Sequence, residues 1–253
     1  MSDDHPALPD EQAVAAAGER RLAVLNRIES ACNAAGRNPD SVSLLAVSKT
    51  FDGSHCLAMM PSGQRSFGEN YLQEALEKQR WLADQRLPGS PEWHFIGPIQ
   101  SNKTKPIAEH FDWVHTVDRL KIAQRLNDQR PEDQPALQIC LQVNIDNEET
   151  KSGCTPSEAV ALAQAFAALP RLNLRGLMAI PTATDDTSKQ RTSFAAVREL
   201  ADQCRNALPP ADAEIFDTLS MGMTGDLESA IAEGATLVRV GTALFGARSK
   251  KTV

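Results

Sequence analysis

Short apolar runs alternate with longer amphipathic stretches along most of this chain, and that alternation constrains the fold more than any other feature. Strands that alternate with helices imply right-handed crossovers and a parallel sheet. A closed barrel of eight such units needs about 250 residues, and the chain has 253. We therefore predict one α/β domain, a (β/α)8 barrel of the TIM type, rather than an open doubly wound sheet. The expected strands are 43–47, 65–67, 93–96, 113–116, 137–143, 172–178, 215–219 and 237–240.

Helical spacing between the apolar runs supplies the rest of the barrel. The stretch 15–35 precedes the first strand and is expected to be an extra helix that closes the barrel bottom. The interval after the first strand is the least helical, because it contains Gly53 and Pro61. Residues 1–14 are predicted to form a disordered tail, which leaves 15–253 as the single domain. The later helices are expected at 71–82, 102–109, 120–129, 156–168, 188–207 and 226–233.

Charge and composition limit the classes of partner. The chain carries 26 basic and 33 acidic residues without a basic block, so binding to nucleic acid or to an anionic membrane surface is not expected. No run approaches the roughly 20 apolar residues of a membrane-spanning helix, and the N-terminus lacks the apolar segment of a secretion signal. The five cysteines are scattered without a Cys-x-x-Cys pair, which argues against disulfides and a zinc site. We expect a soluble cytoplasmic protein with no metal.

Lys49 is the first residue that indicates chemistry. It follows the apolar run 44–47, at the strand end where barrels of this type carry their active sites. An amine withdrawn from water loses its proton more easily and adds to carbonyl groups. The alternative is a lysine that extends from the strand end into solvent.

The segments after the seventh and eighth strands have the composition of an anion site. Ser220 and Thr242 provide hydroxyls, and Gly222 and Gly241 allow close approach of the backbone. Barrels of this type often bind phosphate in these two loops, helped by the N-terminus of a short helix, here 242–246. Glycine and serine at a strand end are also ordinary turn residues, so a pair of turns without a ligand is the alternative.

Arg239 lies inside an otherwise apolar strand. By alternation Leu237, Arg239 and Gly241 share one face, which is the interior or the mouth of the barrel. A buried guanidinium needs an acceptor. That acceptor is either a carboxylate, in an internal salt bridge, or the pyridine nitrogen of a cofactor.

Eight segments along the chain carry a family resemblance. They are 44–50 (LLAVSKT), 67–74 (FGENYLQE), 93–103 (WHFIGPIQSNK), 142–145 (QVNI), 151–153 (KSG), 175–181 (RGLMAIP), 219–223 (LSMGM) and 238–248 (VRVGTALFGAR). In this order and spacing they resemble the YggS/PROSC family of pyridoxal phosphate homeostasis proteins, over roughly residues 20 to 248. The resemblance implies a fold-type III barrel for pyridoxal 5′-phosphate (PLP), similar to the N-terminal domain of alanine racemase.

The resemblance also implies roles for individual residues. Lys49 would hold PLP as a Schiff base, the internal aldimine, and Arg239 would face the pyridine nitrogen. Asn70 would lie near the ring or its 3′-oxygen, and Met178 would pack close by.

Further residues are assigned to the phosphate and the mouth by the same resemblance. The residues implied around the phosphate are Ser220, Gly222, Met223, Gly241 and Thr242. His94 and Asn144 would line the same mouth. The chain departs from the family pattern after 219–223, where it reads Thr224-Gly225-Asp226 instead of a serine and an acidic residue. Thr224 keeps a hydroxyl, whereas Gly225 leaves the start of the next helix less defined.

The family resemblance implies a role in intracellular vitamin B6 homeostasis, with PLP-dependent apoenzymes as recipients of the cofactor. A guanidinium at Arg239 does not readily donate a proton to the ring nitrogen, which weakens the cofactor as an electron sink. Racemisation would need a second base besides Lys49. Alanine racemase takes that base from a tyrosine of its partner subunit and has a C-terminal β domain, for which this chain leaves no residues. The only tyrosine is Tyr71, expected at the surface of a helix.

Without a second base, a binding protein that buffers or delivers PLP is the preferred interpretation. A slow amino-acid racemase or a related PLP-dependent enzyme is the alternative. Because the racemase-type dimer contact would be missing, we expect a monomer.

Overall fold

Eight parallel strands close into a barrel in which each strand pairs with its neighbours in chain order and the first pairs with the last. This computed structural model describes residues 6–85, 87, 89–148 and 150–246. The predicted barrel is therefore confirmed. The strands are β1 (Ser43–Val47), β2 (Ser66–Glu69), β3 (Glu92–Phe95), β4 (Trp113–Val117), β5 (Leu137–Val143), β6 (Leu172–Ala179), β7 (Thr218–Ser220) and β8 (Leu237–Val240).

Helices surround the barrel and connect the strands. They are α1 (Glu11–Ala34), α2 (Gly53–Met59), α3 (Leu72–Ala83), α4 (Thr104–His110), α5 (Leu120–Gln129), α6 (Pro156–Ala167), α7 (Thr187–Ala207), α8 (Pro210–Ile215), α9 (Leu227–Ala232) and α10 (Thr242–Phe245). Single 3₁₀ turns occur at Pro39–Ser41, Met60–Ser62 and Ser101–Lys103. The extra helix α1 packs along α2, α9 and α10, beside the first and last units of the barrel.

The largest differences from the sequence-based expectation are the starts of α1 and β7. Helix α1 begins at Glu11 rather than near residue 15, because the side chain of Asp10 accepts a hydrogen bond from Ala13 N and caps the first turn. Residues 1–5 of the expected tail lie outside the described residues. The expected strand at 215–219 is shorter, because 210–215 forms α8 and β7 begins only at Thr218.

The interval after β1 does form a helix despite its glycine and proline. Asp52 caps α2 by accepting from Ser54 N. Gly53 leaves the space that the ring of Trp81 fills, because a Cβ at this position would lie 2.4 Å from Trp81 Cε3. Pro61 falls beyond the end of α2, in the 3₁₀ turn Met60–Ser62, where its missing N–H interrupts no α-helical hydrogen bond.

The main apolar core lies between the sheet and the surrounding helices. Phe67, Phe166 and Phe194 are among its fully enclosed side chains, and each contributes about 1.5–3 kcal/mol by burial. All five cysteines are buried and free. Burial raises the pKa of the Cys140 thiol to about 12. None of these thiols is therefore a thiolate near neutral pH.

The interior of the barrel differs from this core, because polar side chains occupy much of it. A few buried apolar residues stand apart from the main core, namely Leu45, Val47, Cys140, Met178 and Leu237. Among them lie His94, His115, Ser220 and Arg239, all at most 5% exposed. In the part of the chain that the structure describes, no helix is long and apolar enough to cross a membrane. Nor do three or more His, Cys, Asp or Glu gather there into a group that would hold a metal ion.

Candidate functional site

A pocket of about 260 Å³ opens at the C-terminal ends of the strands, and we call it the mouth pocket. Side chains from the ends of β1, β2, β3, β6 and β8 meet there with the loops after β7 and β8. Its lining residues are Val47, Lys49, Phe51, Asn70, Ile96, Met178, Ile180, Met223, Thr224, Gly225, Arg239, Gly241, Thr242 and Gly246. Two of these carry a positive charge and none is acidic, so the pocket favours an anion.

Lys49 enters the mouth pocket from a tight turn after β1. Phe51 N donates to Ser48 O over 3.1 Å, and Thr50 adopts a left-handed conformation with φ 70°. Lys49 lies two residues beyond Val47, which faces the barrel interior, so alternation directs both side chains to the same side. The half-buried Lys49 is thus placed among the pocket residues.

Asn70 enters the pocket directly after β2. Its Oδ1 atom is buried and has no hydrogen-bond partner. The chain after β3 passes very close to Asn70, because a Cβ at Gly97 would lie 2.1 Å from Asn70 O. Glycine at position 97 is therefore required for this approach, which places Ile96 and Asn70 side by side in the pocket wall.

A buried cluster behind the sheet supports these two residues. Lys78 of α3 pairs with Glu69 Oε1 and donates to Ser48 O over 2.8 Å. The hydroxyl of Ser48 donates to the same Glu69 oxygen over 2.5 Å. Burial raises the pKa of Glu69, and the charge of Lys78 opposes that rise. Ser48 precedes Lys49 and Glu69 precedes Asn70, so the cluster anchors the backbone on which both pocket residues stand.

Arg239 reaches the pocket from β8. Its guanidinium donates to Ser220 O and Ser220 Oγ through Nη1, and to Ala179 O through Nη2 over 2.9 Å. Burial lowers the pKa of Arg239 to about 10, so the group remains charged at neutral pH. It is held entirely by neutral oxygens, because among the described residues no carboxylate lies within ion-pair distance of it.

The loops after β7 and β8 form the opposite end of the pocket. Helix α10 begins at Thr242, where the first amides of a helix have no acceptor within the helix. Gly222 adopts φ 93°, and a Cβ there would lie 2.6 Å from Ala230 Cβ, so the turn after β7 needs glycine. Met223 N donates to Asp226 Oδ1 over 2.6 Å. Its N–H is therefore used within the loop, while its side chain lines the pocket.

The structure brings most of the sequence-predicted residues together. Lys49, Asn70, Met178, Met223, Arg239, Gly241 and Thr242 all line the mouth pocket, together with Thr224 and Gly225. Sequence reasoning did not identify Phe51, Ile96 or Ile180. The last two could have been found, because Ile96 ends the predicted strand 93–96 and Ile180 lies two residues beyond the predicted strand 172–178.

Four predicted residues are not in the pocket lining. Ser220 is fully buried, and its hydroxyl contacts His115 and Arg239 rather than the pocket. Gly222 shapes the turn beneath Met223. His94 lies deeper in the barrel, bonded to His115 over 2.9 Å.

The side chain of Asn144 forms its hydrogen bonds within the loop that follows β5. Its side chain donates to Glu148 O over 2.7 Å and accepts from Glu148 N over 3.1 Å. This amide therefore closes the loop 144–148. Tyr71 is also outside the pocket lining, since it precedes α3 and its side chain is 53% exposed.

Comparison with known proteins places the fold and the pocket in context. The sequence family described as "Alanine racemase, N-terminal domain" matches residues 11–249. A curated Pseudomonas aeruginosa protein named pyridoxal phosphate homeostasis protein is 58% identical over 225 residues, covering 89% of this chain and 93% of the relative. The Escherichia coli protein of that name is 50% identical over 233 residues, covering 90% and 96%.

Solved structures agree with the sequence matches. PipY of Synechococcus elongatus with PLP bound superposes with a TM-score of 0.76 at 36% identity, covering 91% of this chain and all of that one (100%). Alanine racemase from Corynebacterium glutamicum gives a TM-score of 0.67 at 16% identity, covering 95% of this chain and 63% of the racemase. The second likeness shows the fold alone.

Proposed function

The chain belongs to the family of pyridoxal phosphate homeostasis proteins, which share the N-terminal domain of alanine racemase, and on that premise we propose that it binds PLP through a Schiff base on Lys49 and serves vitamin B6 homeostasis. One observation carries the proposal. The mouth pocket gathers an amine, a charged guanidinium and an unpartnered amide oxygen, with no acidic lining residue.

The residues of the pocket fit PLP in charge and in hydrogen-bonding capacity. Lys49 would supply the amine for the aldehyde carbon, and Arg239 would supply a donor for the ring nitrogen. Asn70 Oδ1, buried without a partner, would accept from a protonated group at the ring edge. Thr242 and the first amides of α10 would bind the phosphate. Met178 and the apolar side chains beside it would pack against the ring faces.

PLP when bound would supply an electron sink for an amino-acid substrate, but the pocket residues limit that chemistry. Arg239 stays charged and can only donate, so a ring nitrogen bound against it would remain unprotonated. Apart from Lys49, none of the residues that line the pocket in the described part of the chain is a ready proton acceptor. Tyr71 points elsewhere. These features favour holding and releasing PLP over rapid turnover.

Reduction by borohydride tests the proposal directly. Protein incubated with PLP is expected to show a visible absorption band that borohydride removes, with a phosphopyridoxyl group on Lys49 in peptide mass mapping. Lys49→Ala should lose the band. Lys105→Ala is the matched control, because Lys105 is an exposed lysine of α4 outside the pocket, paired with Glu109 over 3.7 Å. A band retained by Lys49→Ala, or an adduct on another lysine, would contradict the assignment.

The racemase alternative has its own test. Deuterium from solvent should enter the α-position of alanine or serine if the protein removes that proton. We expect no incorporation above the level of Lys49→Ala, since a second base is missing from the described lining. Incorporation that depends on Lys49 would instead favour the enzyme.

We further propose cytoplasmic PLP-dependent apoenzymes as recipients and a monomer as the active form. Ile180 and Met223, 40% and 38% exposed, place apolar surface at the rim of the pocket, where a recipient would approach. The transfer is measured by activation of an apoenzyme added to the loaded protein, and compared with the rate at which PLP is released to buffer. Transfer no faster than release would remove direct delivery from the proposal.

A further inference from the structure

A second cavity lies at the opposite end of the barrel, where the strands begin. It has a volume of about 270 Å³, and we call it the floor cavity. Its polar lining includes Ser66, Glu92, His94, Trp113, Arg175 and Asp217. Between the floor cavity and the mouth pocket the barrel interior contains a continuous row of hydrogen-bonded side chains.

This row, which we call the axial chain, consists of Glu92, His94, His115, Ser220 and Arg239. His94 Nε2 lies 3.0 Å from Glu92 Oε2, and His94 Nδ1 lies 2.9 Å from His115 Nε2. His115 Nδ1 lies 2.8 Å from Ser220 Oγ, which accepts from Arg239 Nη1 over 2.8 Å. Only Glu92 is substantially exposed, with 44% of its side chain accessible. Arg239, at the other end of the axial chain, lines the mouth pocket.

The fixed roles at its two ends favour one direction for the bonds of the axial chain. A guanidinium only donates, so Ser220 Oγ accepts from Arg239 and keeps its proton available for His115 Nδ1. His115 then carries its proton on Nε2 and donates to His94 Nδ1. His94 in turn carries its proton on Nε2 and donates to Glu92, whose carboxylate only accepts.

Each imidazole carries one proton in this arrangement. The reverse direction would require Ser220 Oγ to accept two hydrogen bonds and His94 to carry two protons. Burial, together with the nearby His94 and Arg239, lowers the pKa of His115 well below its usual value. The hydrogen bond from His94 lowers the pKa of Glu92 to about 2. Ser66 Oγ and Trp113 Nε1 also donate to Glu92, over 2.9 and 3.1 Å.

In this arrangement, charge sits only at the two ends of the axial chain. No carboxylate in the described structure lies within ion-pair distance of Arg239, although Asp226 acts on it from farther away, and a row of aligned dipoles leads from Arg239 to the carboxylate of Glu92. Aligned hydrogen bonds polarise one another in a medium of low dielectric constant. The negative end at the floor cavity thus acts on the guanidinium at the mouth.

We infer that Glu92, His94 and His115 are positioning residues for the cofactor site, which orient Arg239 through Ser220 and transmit the charge at the floor cavity to the ring nitrogen that Arg239 faces. The step from Arg239 to the ring nitrogen rests on the proposed function. The direction of the hydrogen bonds does not.

The first experiment measures where His94 and His115 carry their protons in the protein without cofactor. Nitrogen-15 NMR of the unliganded protein at pH 7 distinguishes the two neutral tautomers from the charged imidazole. His94 and His115 are both expected as the neutral form protonated on Nε2, with assignment from His94→Gln and His115→Gln. A charged ring, or a proton on Nδ1 of either residue, would overturn the inference, whatever the protein binds.

The second experiment compares two neutralised carboxylates of the floor cavity in the PLP-loaded protein. Glu92→Gln removes the charge at the end of the axial chain. Asp217→Asn removes an equal charge from the same cavity but outside the chain, since Asp217 pairs with Arg175 over 2.6 Å. The measured quantity is the pH midpoint of the visible absorption spectrum. Thermal unfolding of each variant establishes that it is folded.

Loss of the negative charge leaves the guanidinium field at the ring less compensated, so protonation of the bound chromophore becomes harder. We expect Glu92→Gln to lower the midpoint by roughly 0.5 pH unit and Asp217→Asn to lower it by much less. Equal shifts would mean that the field acts through space and would overturn the role of the axial chain. If the wild type bound no PLP, the proposed function would fail while the tautomer result would still decide the arrangement of the chain.

Discussion

The two ends of the barrel interior contain cavities of nearly equal size, about 260 Å³ at the mouth and 270 Å³ at the floor, but their polar groups are paired differently. At the floor, Glu92 accepts from Ser66, His94 and Trp113. At the mouth, Asn70 Oδ1 is buried without a partner. Polar groups that satisfy one another hold a structure together, whereas an unsatisfied buried acceptor that lines an open pocket is available to a ligand.

Two arginines show the same contrast. Arg175 at the floor bonds to Asp217, Gln138 and Ile215 O and lies over the ring of Trp113, 5.1 Å from its centroid. Arg239 at the mouth has neutral oxygens only. Arg175 therefore has its carboxylate partner within the protein. Arg239 is charged, has no such partner within ion-pair distance among the described residues, and lines a pocket that another molecule can fill.

The largest effect is expected at the buried cluster of Lys78, Glu69 and Ser48 behind the mouth pocket. Lys78→Met would leave the Glu69 carboxylate buried without its cation, which costs about 3–5 kcal/mol of unfolding free energy. Urea unfolding measures this loss. The double variant with Glu69→Gln should recover part of it, because no buried charge then remains. If Lys78→Met were as stable as the wild type, the pair of Lys78 and Glu69 would not support the pocket.

The two arginines should separate stability from ligand binding. Arg239→Gln should weaken PLP retention by tenfold or more, which corresponds to about 1.4 kcal/mol. Arg175→Gln should leave retention unchanged but reduce the unfolding free energy by about 1–2 kcal/mol, since it loses its ion pair and the contact with Trp113. Equilibrium dialysis and urea unfolding on both variants check the comparison. Equal effects of both variants on PLP retention would break it.

Hydroxyls at the mouth should show a smaller, graded effect. Thr242→Val would remove a donor to the phosphate and should weaken retention by roughly 3- to 10-fold. Thr192→Val is the control, because its hydroxyl bonds to Ser188 O on the exposed surface of α7. Ser220→Ala should instead alter the absorption spectrum, since its hydroxyl bonds to Arg239 and His115. If Ser220→Ala lowered the affinity for PLP without changing the spectrum, the Ser220 hydroxyl would instead be assigned to phosphate binding.

The smallest expected effect is the pH dependence of stability. His115 has a lowered pKa, so the unfolded chain binds more protons below about pH 6.5, and stability falls as the pH decreases from there. The groups that face it are His94, Ser220 and Arg239. Glu92, with its pKa lowered to about 2, adds a contribution present above about pH 4.5 and lost as the pH falls towards 2.

Unfolding curves between pH 8 and pH 3 measure both contributions. His115→Gln should flatten the change between pH 6.5 and 5, whereas His110→Gln, at the C-terminal end of α4 and outside the axial chain, should not. A wild type with constant stability over this range would mean that His115 does not resist protonation.

The barrel and the centre of its mouth were predictable from the sequence, because both depend on periodicity and on strand ends. Lys49 and Arg239 stand at or near the C-terminal ends of strands that apolar runs identify. Strict alternation could not predict which side chains of β6 face the barrel interior, because the register of β6 with β5 shifts after Ile139. Arg175 lines the floor and Met178 the mouth, three residues apart, although alternation would place them on opposite faces.

The reason for that irregularity is local. Gly176 adopts φ 155°, and a Cβ there would lie 1.8 Å from Thr218 O. The sequence shows a glycine but not the neighbouring backbone that requires it. In the same way, the sequence shows hydroxyl and imidazole groups at strand ends without showing that Ser220 and His94 bond to interior residues. Which donor meets which acceptor depends on the closed barrel, in which residues distant in sequence become neighbours.

The filled interior of the barrel limits how a small molecule can enter and leave the mouth pocket. Leu45, Leu237 and the axial chain occupy the space between the two cavities, so the mouth pocket is a dead end. A small molecule that arrives through the mouth must also leave through it. A donor and a recipient of PLP would therefore compete for one face of the protein, and a complete cycle of loading and unloading would take two successive encounters rather than one three-way complex.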